Sequence, residues 1–298
     1  MSELVSLEKS LLDLLSKLNS TSFPIILGGG YGLYLRRTIL EQEGTRTLLE
    51  HWPEARSTND LDLFLRPELL CDSTRLVSLK SALDELGYTP VEGAEHYQFR
   101  KDDPDGFIKR GIKIDLLTGP SSCFEGKDLK VDRRRVRPNP SVKVHAHPTD
   151  EAITLDEHLQ EVKFQIGGDG ESAYKSVYLP HPFTYSLMKL FALRDQVAIQ
   201  HKGFGSHHAL DLYSIIAMMT ESEWNQAKEM ANANAGSEIG REAHRIVFEL
   251  FNSLTSQGLL VMRANPYCSG QLQLPEFIEL IRELFQSNQD IQSKMVEN

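Results

Sequence analysis

The sequence predicts an α/β protein of the α+β kind, in which a mixed β-sheet is followed by a C-terminal helical domain. Three observations predict this class. A strand-like segment, PIIL, runs into three consecutive glycines and then into a helical pattern. Two later segments alternate polar and apolar residues with the period of a strand. Beyond Pro182 the apolar residues have helical spacing, so we predict domains at residues 1–180 and 181–298.

The composition is that of an ordinary globular protein. Of 298 residues, 40% are hydrophobic and 25% are charged. No run approaches the ~20 apolar residues that cross a bilayer, and the N-terminus lacks the basic start and apolar centre of a secretory signal. Three widely spaced cysteines argue against a disulfide framework and against a thiolate zinc site. We therefore expect a cytoplasmic protein that has no membrane partner.

The charge distribution has one exception to its acidic average. A net charge of −10 argues against a protein that coats nucleic acid without specificity, because phosphate binding depends on clustered cations. One short segment is nevertheless basic, and it contains Lys127, Lys130, Arg133, Arg134, Arg135, Arg137 and Lys143. The segment is either a solvated loop or a contact for a phosphate-bearing acceptor, and both interpretations stay open.

The first domain begins with a helix, a strand and a glycine turn. Leucines spaced by three and four predict a helix over 4–18, and a strand follows over 24–27. Gly28, Gly29 and Gly30 permit positive φ angles and close backbone approach, and a helix is predicted over 31–40. A polar segment then leads to a strand over 60–65 that reads D-L-D-L-F-L.

The rest of the chain continues with strands and then with helices. A helix over 73–86 precedes a predicted β-hairpin made of 96–100 and 111–117, with Lys113 and Asp115 on one face of its second strand. Two more strands are predicted over 162–166 and 176–179. The predicted helices of the second domain span 183–200, 206–219, 222–233, 238–256 and 274–287.

Three carboxylates are the candidate chemical groups. Asp60 and Asp62 share one face of their strand because alternate strand residues point the same way, and Asp115 comes from another strand. Carboxylates on largely buried strands are costly unless something positive meets them. Hard oxygen ligands select Mg²⁺ or Mn²⁺, and a glycine turn at a helix N-terminus suits phosphates. The pattern therefore indicates a site for a metal-bound triphosphate, and the competing interpretation is a solvated edge strand.

Other nucleotide and hydrolase motifs are missing from the sequence. The glycine turn lacks the Lys-Ser/Thr ending of a P-loop and the G-x-G-x-x-G of a dinucleotide fingerprint. No G-x-S-x-G elbow of a triad hydrolase occurs either.

The motifs resemble those of the nucleotidyltransferase superfamily, in which a glycine turn is followed by a D-x-D strand and a third carboxylate. The segment R-S-T-N-D-L-D-L-F, the later K-L-F-A-L-R that starts at Lys189, and D-L-Y at Asp211 resemble the AbiEii branch of toxin and phage-defence nucleotidyltransferases. The resemblance covers about residues 22–216. The sequence departs from the branch in two places. His207-His208 stands where the branch has a basic-acidic run, and residues 41–55 are longer than the corresponding segment, so we interpret them as an insertion of unassigned role.

The resemblance implies a nucleotidyltransferase-type core that transfers a nucleoside monophosphate (NMP) from a nucleoside triphosphate (NTP) to a hydroxyl group. The implied catalytic residues are Asp60, Asp62, Asp115 and Lys189, of which the three aspartates hold Mg²⁺ or Mn²⁺. The implied nucleotide-binding residues are Gly28, Gly29, Gly30, Arg56, Ser57, Lys189, Arg194 and Asp211. The implied acceptor-binding residues are Arg133, Arg134, Arg135 and Arg137. The implied acceptor is RNA, at the 3′ end of tRNA, and the implied role is that of a toxin or phage-defence effector with a cognate antitoxin protein.

Several alternatives remain open at this stage. The acceptor is a protein or a small molecule instead of RNA, or the chain is a catalytically inactive module that binds a nucleotide or a partner. Separately, Lys189 and Arg194 have the alternative role of cations that line a helix to stay solvated. Asp211 has the alternative role of a structural partner for one of these cations.

Overall fold

The computed structural model describes residues 3–18, 24–54, 58–132, 135–138, 142–166, 173–199 and 205–286. The chain divides into two compact units. The first unit comprises Met1–Arg36, Ser57–Asp150 and Leu155–Pro180, and the second comprises Arg37–Arg56, Glu151–Thr154 and His181–Asn298. Strands of both orientations and a set of helices make the molecule a mixed α/β protein, as the sequence predicts.

The first unit is built on a mixed sheet. Its strands are β1 (Ile26–Leu27), β2 (Asp60–Phe64), β3 (Thr89–Pro90), β4 (Gln98–Lys101), β5 (Ile112–Thr118), β8 (His147–Pro148), β9 (Gln160–Ile166) and β10 (Ala173–Leu179). Their order is β3-β4-β5-β2-β1-β10-β9, and β8 also pairs with β5. The pairs β2/β5, β1/β10 and β5/β8 are parallel, whereas the other pairs are antiparallel. A separate two-stranded sheet consists of β6 (Lys130–Asp132) and β7 (Arg135–Arg137), which the sequence pattern does not predict.

The alternating pattern of β5 sets the two faces of this sheet. Ile112, Ile114 and Leu116 are fully buried, whereas Lys113 and Asp115 on the opposite face are half-buried. β4 and β5 form the predicted antiparallel hairpin. The sheet therefore has an apolar face in the core and a polar face that carries charge in its middle strands.

The helices of the first unit cover the apolar side and join the strands. They are α1 (Glu3–Lys17), the start of α2 (Gly29–Glu43), α3 (Pro67–Leu70) and α4 (Ser73–Glu85). α1 contributes Leu7, Leu11 and Leu14, all fully buried, to the core that the sheet residues share. α4 begins where the side chain of Asp72 accepts a hydrogen bond from the N–H of Arg75, as expected of a helix N-cap.

The second unit is helical after residue 181. Its helices are α5 (Pro182–Ala198), α6 (Ser206–Ala217), α7 (Glu221–Asn234), α8 (Glu238–Leu250), α9 (Gln257–Arg263) and α10 (Leu274–Leu284). The helix predicted over 238–256 is too long, because α8 ends at Leu250, and the sequence pattern does not predict α9. The hydroxyl of Ser256 accepts a hydrogen bond from the N–H of Ser253, and such local side-chain bonds compete with helix continuation. Within the described residues, no helix is both long and apolar enough to cross a membrane.

The insertion predicted over 41–55 belongs to the second unit, where it packs on α6. The N–H groups of Leu48 and Leu49 donate to the carbonyls of Met219 and Ala217, at 2.9 and 3.1 Å. Leu49 is buried, and the Tyr213 hydroxyl donates to the His51 carbonyl at 3.0 Å. The insertion therefore satisfies carbonyl groups that the C-terminal end of α6 would otherwise leave unpaired.

Candidate functional site

The three predicted carboxylates lie on one face of two neighbouring strands. In the parallel pair β2/β5, Asp62 is the register partner of Asp115, and Asp60 is the register partner of Lys113. Alternate residues of a strand share a face, so these four side chains share the polar face of the sheet. Asp60 and Asp62 are half-buried, and the side chain of Asp115 is 14% exposed. Like charges side by side on adjacent strands repel each other, so the arrangement favours a cation between them.

Lys113 supplies a positive charge at this place. Its Nζ lies 3.0 Å from Oδ2 of Asp115 and 3.6 Å from Oδ1 of Asp60. Burial lowers the pKa of Lys113, but Asp115 and Asp60 raise it, and the pKa ends above its usual value. The sequence prediction does not count Lys113 among the site residues. The signal that identifies it is the alternation that puts Lys113 and Asp115 on one face.

One oxygen of Asp115 remains without a partner. Oδ1 of Asp115 is buried and has no hydrogen-bond partner among the described residues. Burial and, to a smaller extent, the charge of Asp60 raise the pKa of Asp115 above its usual value, although Lys113 and a side-chain hydrogen bond with Gln98 act in the opposite direction. An unpaired carboxylate oxygen in a buried position is costly, so this atom favours either a proton or a further cation.

The glycine turn contacts the D-x-D strand directly. The N–H of Gly28 donates to the carbonyl of Asp62 at 2.8 Å. Gly29, the first residue of α2, has a φ of +64°, and a Cβ built on it would lie 1.8 Å from Oδ2 of Asp62. A Cβ on Gly28 would lie 2.6 Å from the ring of Phe64. The two glycines therefore allow the start of α2 to pack against β2 and the Asp62 carboxylate. A side chain at either glycine would occupy the space that Phe64 or Asp62 fills.

A divalent cation fits these residues in donor type. Carboxylate oxygens are the ligands that Mg²⁺ and Mn²⁺ prefer, and Oδ1 of Asp115 is an oxygen that such an ion would satisfy. As the side chains are placed, no group of three His, Cys, Asp or Glu in the described residues could hold a metal ion. Lys113 pairs with Asp60 and Asp115 instead. A metal ion at this site would compete with the Lys113 ammonium group for the same oxygens.

The predicted residues of the second unit form ion pairs of their own. Nζ of Lys189 lies 2.8 Å from Oδ2 of Asp211, and the two residues are 8% and 4% exposed. Arg194 pairs with Asp195 at 2.7 Å and with Glu242 at 2.9 Å. α5 and α6 therefore bring Lys189 and Asp211 together, which fits the alternative in which Asp211 is a structural partner.

The structure describes only some of the remaining predicted site residues. Gly30 lies in the first turn of α2, and Arg135 and Arg137 lie on β7, where Arg137 pairs with Asp132. Arg56, Ser57, Arg133 and Arg134 lie outside the described residues. Comparisons with protein-family models, with curated proteins and with solved structures found no match for this chain.

Proposed function

We propose that this protein is a metal-dependent nucleotidyltransferase, which moves an NMP from an NTP to a hydroxyl acceptor and releases pyrophosphate. One observation carries the proposal: the Asp62 carboxylate lies against Gly29 on one side and beside Asp115 on the next strand. This arrangement puts carboxylates that can hold a cation next to a helix N-terminus that can bind phosphates.

The three carboxylates divide the chemistry among them. Asp60, Asp62 and Asp115 would hold Mg²⁺ or Mn²⁺, which when bound neutralises phosphate charge and lowers the pKa of the attacking hydroxyl. Asp115 would also accept the proton of that hydroxyl as the general base, because it lies beside Asp62 on the neighbouring strand. The acceptor oxygen bonds to the α-phosphorus, the bond from that phosphorus to the β-phosphate oxygen breaks, and pyrophosphate leaves.

The glycine turn would bind the triphosphate. The first N–H groups of a helix have no intrahelical partner, and at α2 they follow Gly28 and belong to Gly29, Gly30 and the next residues. These groups and the helix dipole favour the β- and γ-phosphates. The nucleotide-binding roles of Arg56, Ser57, Arg194 and Asp211 rest on the sequence resemblance alone. Lys189 would have to leave its buried pair with Asp211 before it could contact a phosphate.

The acceptor and the biological role follow from the sequence resemblance. We propose the 3′ end of tRNA as the acceptor, and growth arrest as a toxin or phage-defence effector that a cognate antitoxin protein neutralises. The acceptor-binding role of Arg135 and Arg137 on β7 belongs to the same proposal.

The second candidate function is a catalytically inactive module that binds a nucleotide or a partner. One observation favours it: Lys113 already neutralises two of the three carboxylates. In that case Lys113 is a permanent counter-ion, and the polar face of β2 and β5 needs no metal.

The test is an incubation with each α-³²P-labelled NTP in turn, with MgCl₂ and with either tRNA or a protein extract. We expect label in tRNA with the wild-type protein, and a loss of roughly 100-fold or more in Asp62→Asn, because a charge-stabilising group is removed. The matched control is Asp84→Asn on α4, an exposed aspartate paired with Lys80, which should stay active. Label in protein alone would replace RNA by a protein acceptor. Absence of label with intact NTP binding would favour the inactive module.

A further inference from the structure

The first unit contains a cleft that is separate from the carboxylates and lined by cations. Its volume is about 890 Å³. Among the described residues that line it, five are Lys or Arg and one is Asp: Lys127, Lys130, Arg135, Arg137, Lys143 and Asp128. We call this feature the basic cleft. In a protein with a net charge of −10, such a concentration of positive charge selects for anions.

Most of these cations have no carboxylate of their own. Within the described part of the chain, Arg137 forms an ion pair with Asp132, whereas Lys127, Lys130, Arg135 and Lys143 form none. Lys143 also has a φ of 56°, a conformation that lysine seldom adopts. Within the described ranges, four of the five cations in the basic cleft thus have no ion pair and are open to an incoming anion.

Two histidines line the same cleft with unsatisfied nitrogens. The ring centroids of His96 and His145 lie 4.5 Å apart. The backbone N–H of His145 also donates a hydrogen bond to the backbone carbonyl of His96, at 2.8 Å. His145 is 6% exposed, and the Nδ1 atoms of both rings are buried without a hydrogen-bond partner among the described residues. Buried nitrogens of this kind are rare in proteins, and a ligand or an ordered water at the cleft would satisfy them.

The pKa of His145 reflects the positive charge around it. Burial, His96, Arg135 and Arg137 lower the pKa of His145 to about 4, and Asp132 opposes them. A phosphate group in the basic cleft would bring negative charge close to His145 and raise this pKa.

The size and spread of the cleft favour several phosphates over one. A single phosphate ion would fill a small part of 890 Å³. Five cations line it, which is more positive charge than a single phosphate ion would balance. A strand of nucleic acid presents phosphates at regular intervals along such a groove.

We propose that the basic cleft binds successive phosphates of a single-stranded RNA. Lys130, Arg135 and Lys143 are the contacting cations, and His96 and His145 line the same cleft. The choice of RNA rests on the proposed function, whereas the phosphate site itself does not require any transfer chemistry. The proposal adds the cleft itself and the histidine pair to the basic segment that the sequence alone indicates.

The test measures binding of a fluorescent single-stranded RNA oligonucleotide to the full-length protein, without NTP or metal, in a series of NaCl concentrations. We expect Lys130→Gln and Lys143→Asn each to weaken binding roughly fivefold, and to reduce the salt slope by about 0.7 per lost contact. Asparagine suits the positive φ of residue 143, so the second variant removes charge without backbone strain. The matched control is Lys163→Gln, an exposed lysine on β9 outside the cleft, which should bind as the wild type does.

Cysteine alkylation locates the bound RNA independently. Cys71 lines the basic cleft, whereas the exposed Cys123 does not. RNA at ten times its Kd should slow alkylation of Cys71 roughly tenfold and leave Cys123 unchanged. An NMR titration should show a higher pKa for His145 in the RNA complex, with His145→Gln used to assign the resonance.

Three outcomes would overturn the proposal. The first is that the cleft variants bind RNA with the same affinity as Lys163→Gln, and the second is that saturating RNA does not slow the alkylation of Cys71. The third is that inorganic pyrophosphate or an NTP binds the cleft as tightly as the oligonucleotide does. The proposed function can fail separately. RNA bound in the cleft without any labelled transfer would refute the transferase, whereas transfer with an unchanged KM for RNA in Lys130→Gln would refute the cleft.

Discussion

At the residue scale, Lys113 decides the charge state of the candidate site. Asp60 and Asp115 both pair with it, and Oδ1 of Asp115 still has no partner in the described part of the chain. One ammonium group thus pairs with two of the three carboxylates that share a sheet face. Lys113 is therefore the competitor of any metal that binds there.

We predict that Lys113→Met lowers the free energy of unfolding by about 2 kcal/mol at pH 7, because it leaves Asp115 ionised without its counter-charge. Burial already raises the pKa of Asp115, so the folded protein binds this proton more readily than the unfolded chain does. Ionisation of Asp115 therefore costs stability as the pH rises through the folded pKa. Removing Lys113 raises that pKa further, and the stability difference from wild type should shrink as Asp115 becomes protonated at low pH. Urea unfolding between pH 4 and pH 8 measures this.

The control for this prediction is Lys163→Met, an exposed lysine whose loss should cost less than about 1 kcal/mol at every pH. If the carboxylates hold Mg²⁺, MgCl₂ should raise the Tm of Lys113→Met more than that of the wild type. A destabilisation that is the same at pH 4 and pH 8 would contradict the role of Asp115.

At the element scale, the site depends on how α2 begins against β2. The hydrogen bond from Gly28 to the Asp62 carbonyl and the close approach of Gly29 to the Asp62 carboxylate join a helix start to a strand. The parallel register of β2 and β5 then places Asp115 beside Asp62. Because side chains alternate along a strand, a register shift of one residue would send Asp115 to the apolar face.

We predict that Gly29→Ala is more damaging than Gly44→Ala, although both glycines have a similar positive φ, of 64° and 61°. A Cβ at residue 44 meets nothing within 4 Å, so Gly44→Ala should cost about 1 kcal/mol from backbone strain alone. Gly29→Ala should cost about 2 kcal/mol more, since its Cβ must displace the Asp62 carboxylate. Chemical denaturation of both variants gives the comparison.

A double-mutant cycle attributes the excess to the contact. In an Asp62→Ala background the additional cost of Gly29→Ala should largely disappear, because the atom that it clashes with is gone. Equal costs for the two glycine variants, or an excess that persists without the Asp62 side chain, would argue against this contact.

At the scale of the whole molecule, segments that are neighbours in the sequence do not all belong to the same compact unit. Residues 41–55 lie between the glycine turn and the D-x-D strand in sequence, yet residues 37–56 belong to the second unit. Leu48 and Leu49 bond to the end of α6, and the carbonyl of His51 accepts from Tyr213. The insertion is therefore a part of the helical unit that is encoded early in the chain.

We predict that replacing residues 45–53 by a Gly/Ser linker of equal length destabilises α6 while β2 and β5 stay protected. The loss of Leu49 burial and of two backbone hydrogen bonds should lower the local opening free energy by about 3 kcal/mol. Hydrogen exchange with mass spectrometry measures this at residues 213–219. The control replaces residues 102–107, the connection between β4 and β5, which should affect that hairpin and spare α6. Unchanged exchange of α6 in the 45–53 variant would refute the role assigned to the insertion.

Local periodicity predicted much of the fold. The alternation in β2 and β5, the leucine spacing in α1 and the capped start of α4 are signals carried by neighbouring residues, and the structure confirms these elements. The short strands β6 and β7, the helix α9 and the break that follows α8 at Leu250 escaped prediction. Three residues are too few to show a strand period, and the break depends on serine hydrogen bonds within one turn.

The sequence by itself determined the types of element, the face that Asp60, Asp62 and Asp115 occupy, and the glycines at the start of α2, since each depends on contacts a few residues apart. Only the tertiary structure decided that Asp62 lies beside Asp115, that Lys113 pairs across to Asp60, and that Lys189 is buried against Asp211. These are pairings between distant segments, and strand register and helix packing choose them from alternatives with the same local pattern. The histidine pair in the basic cleft belongs to this second group, because His96 and His145 come from segments that only the folded sheet brings together.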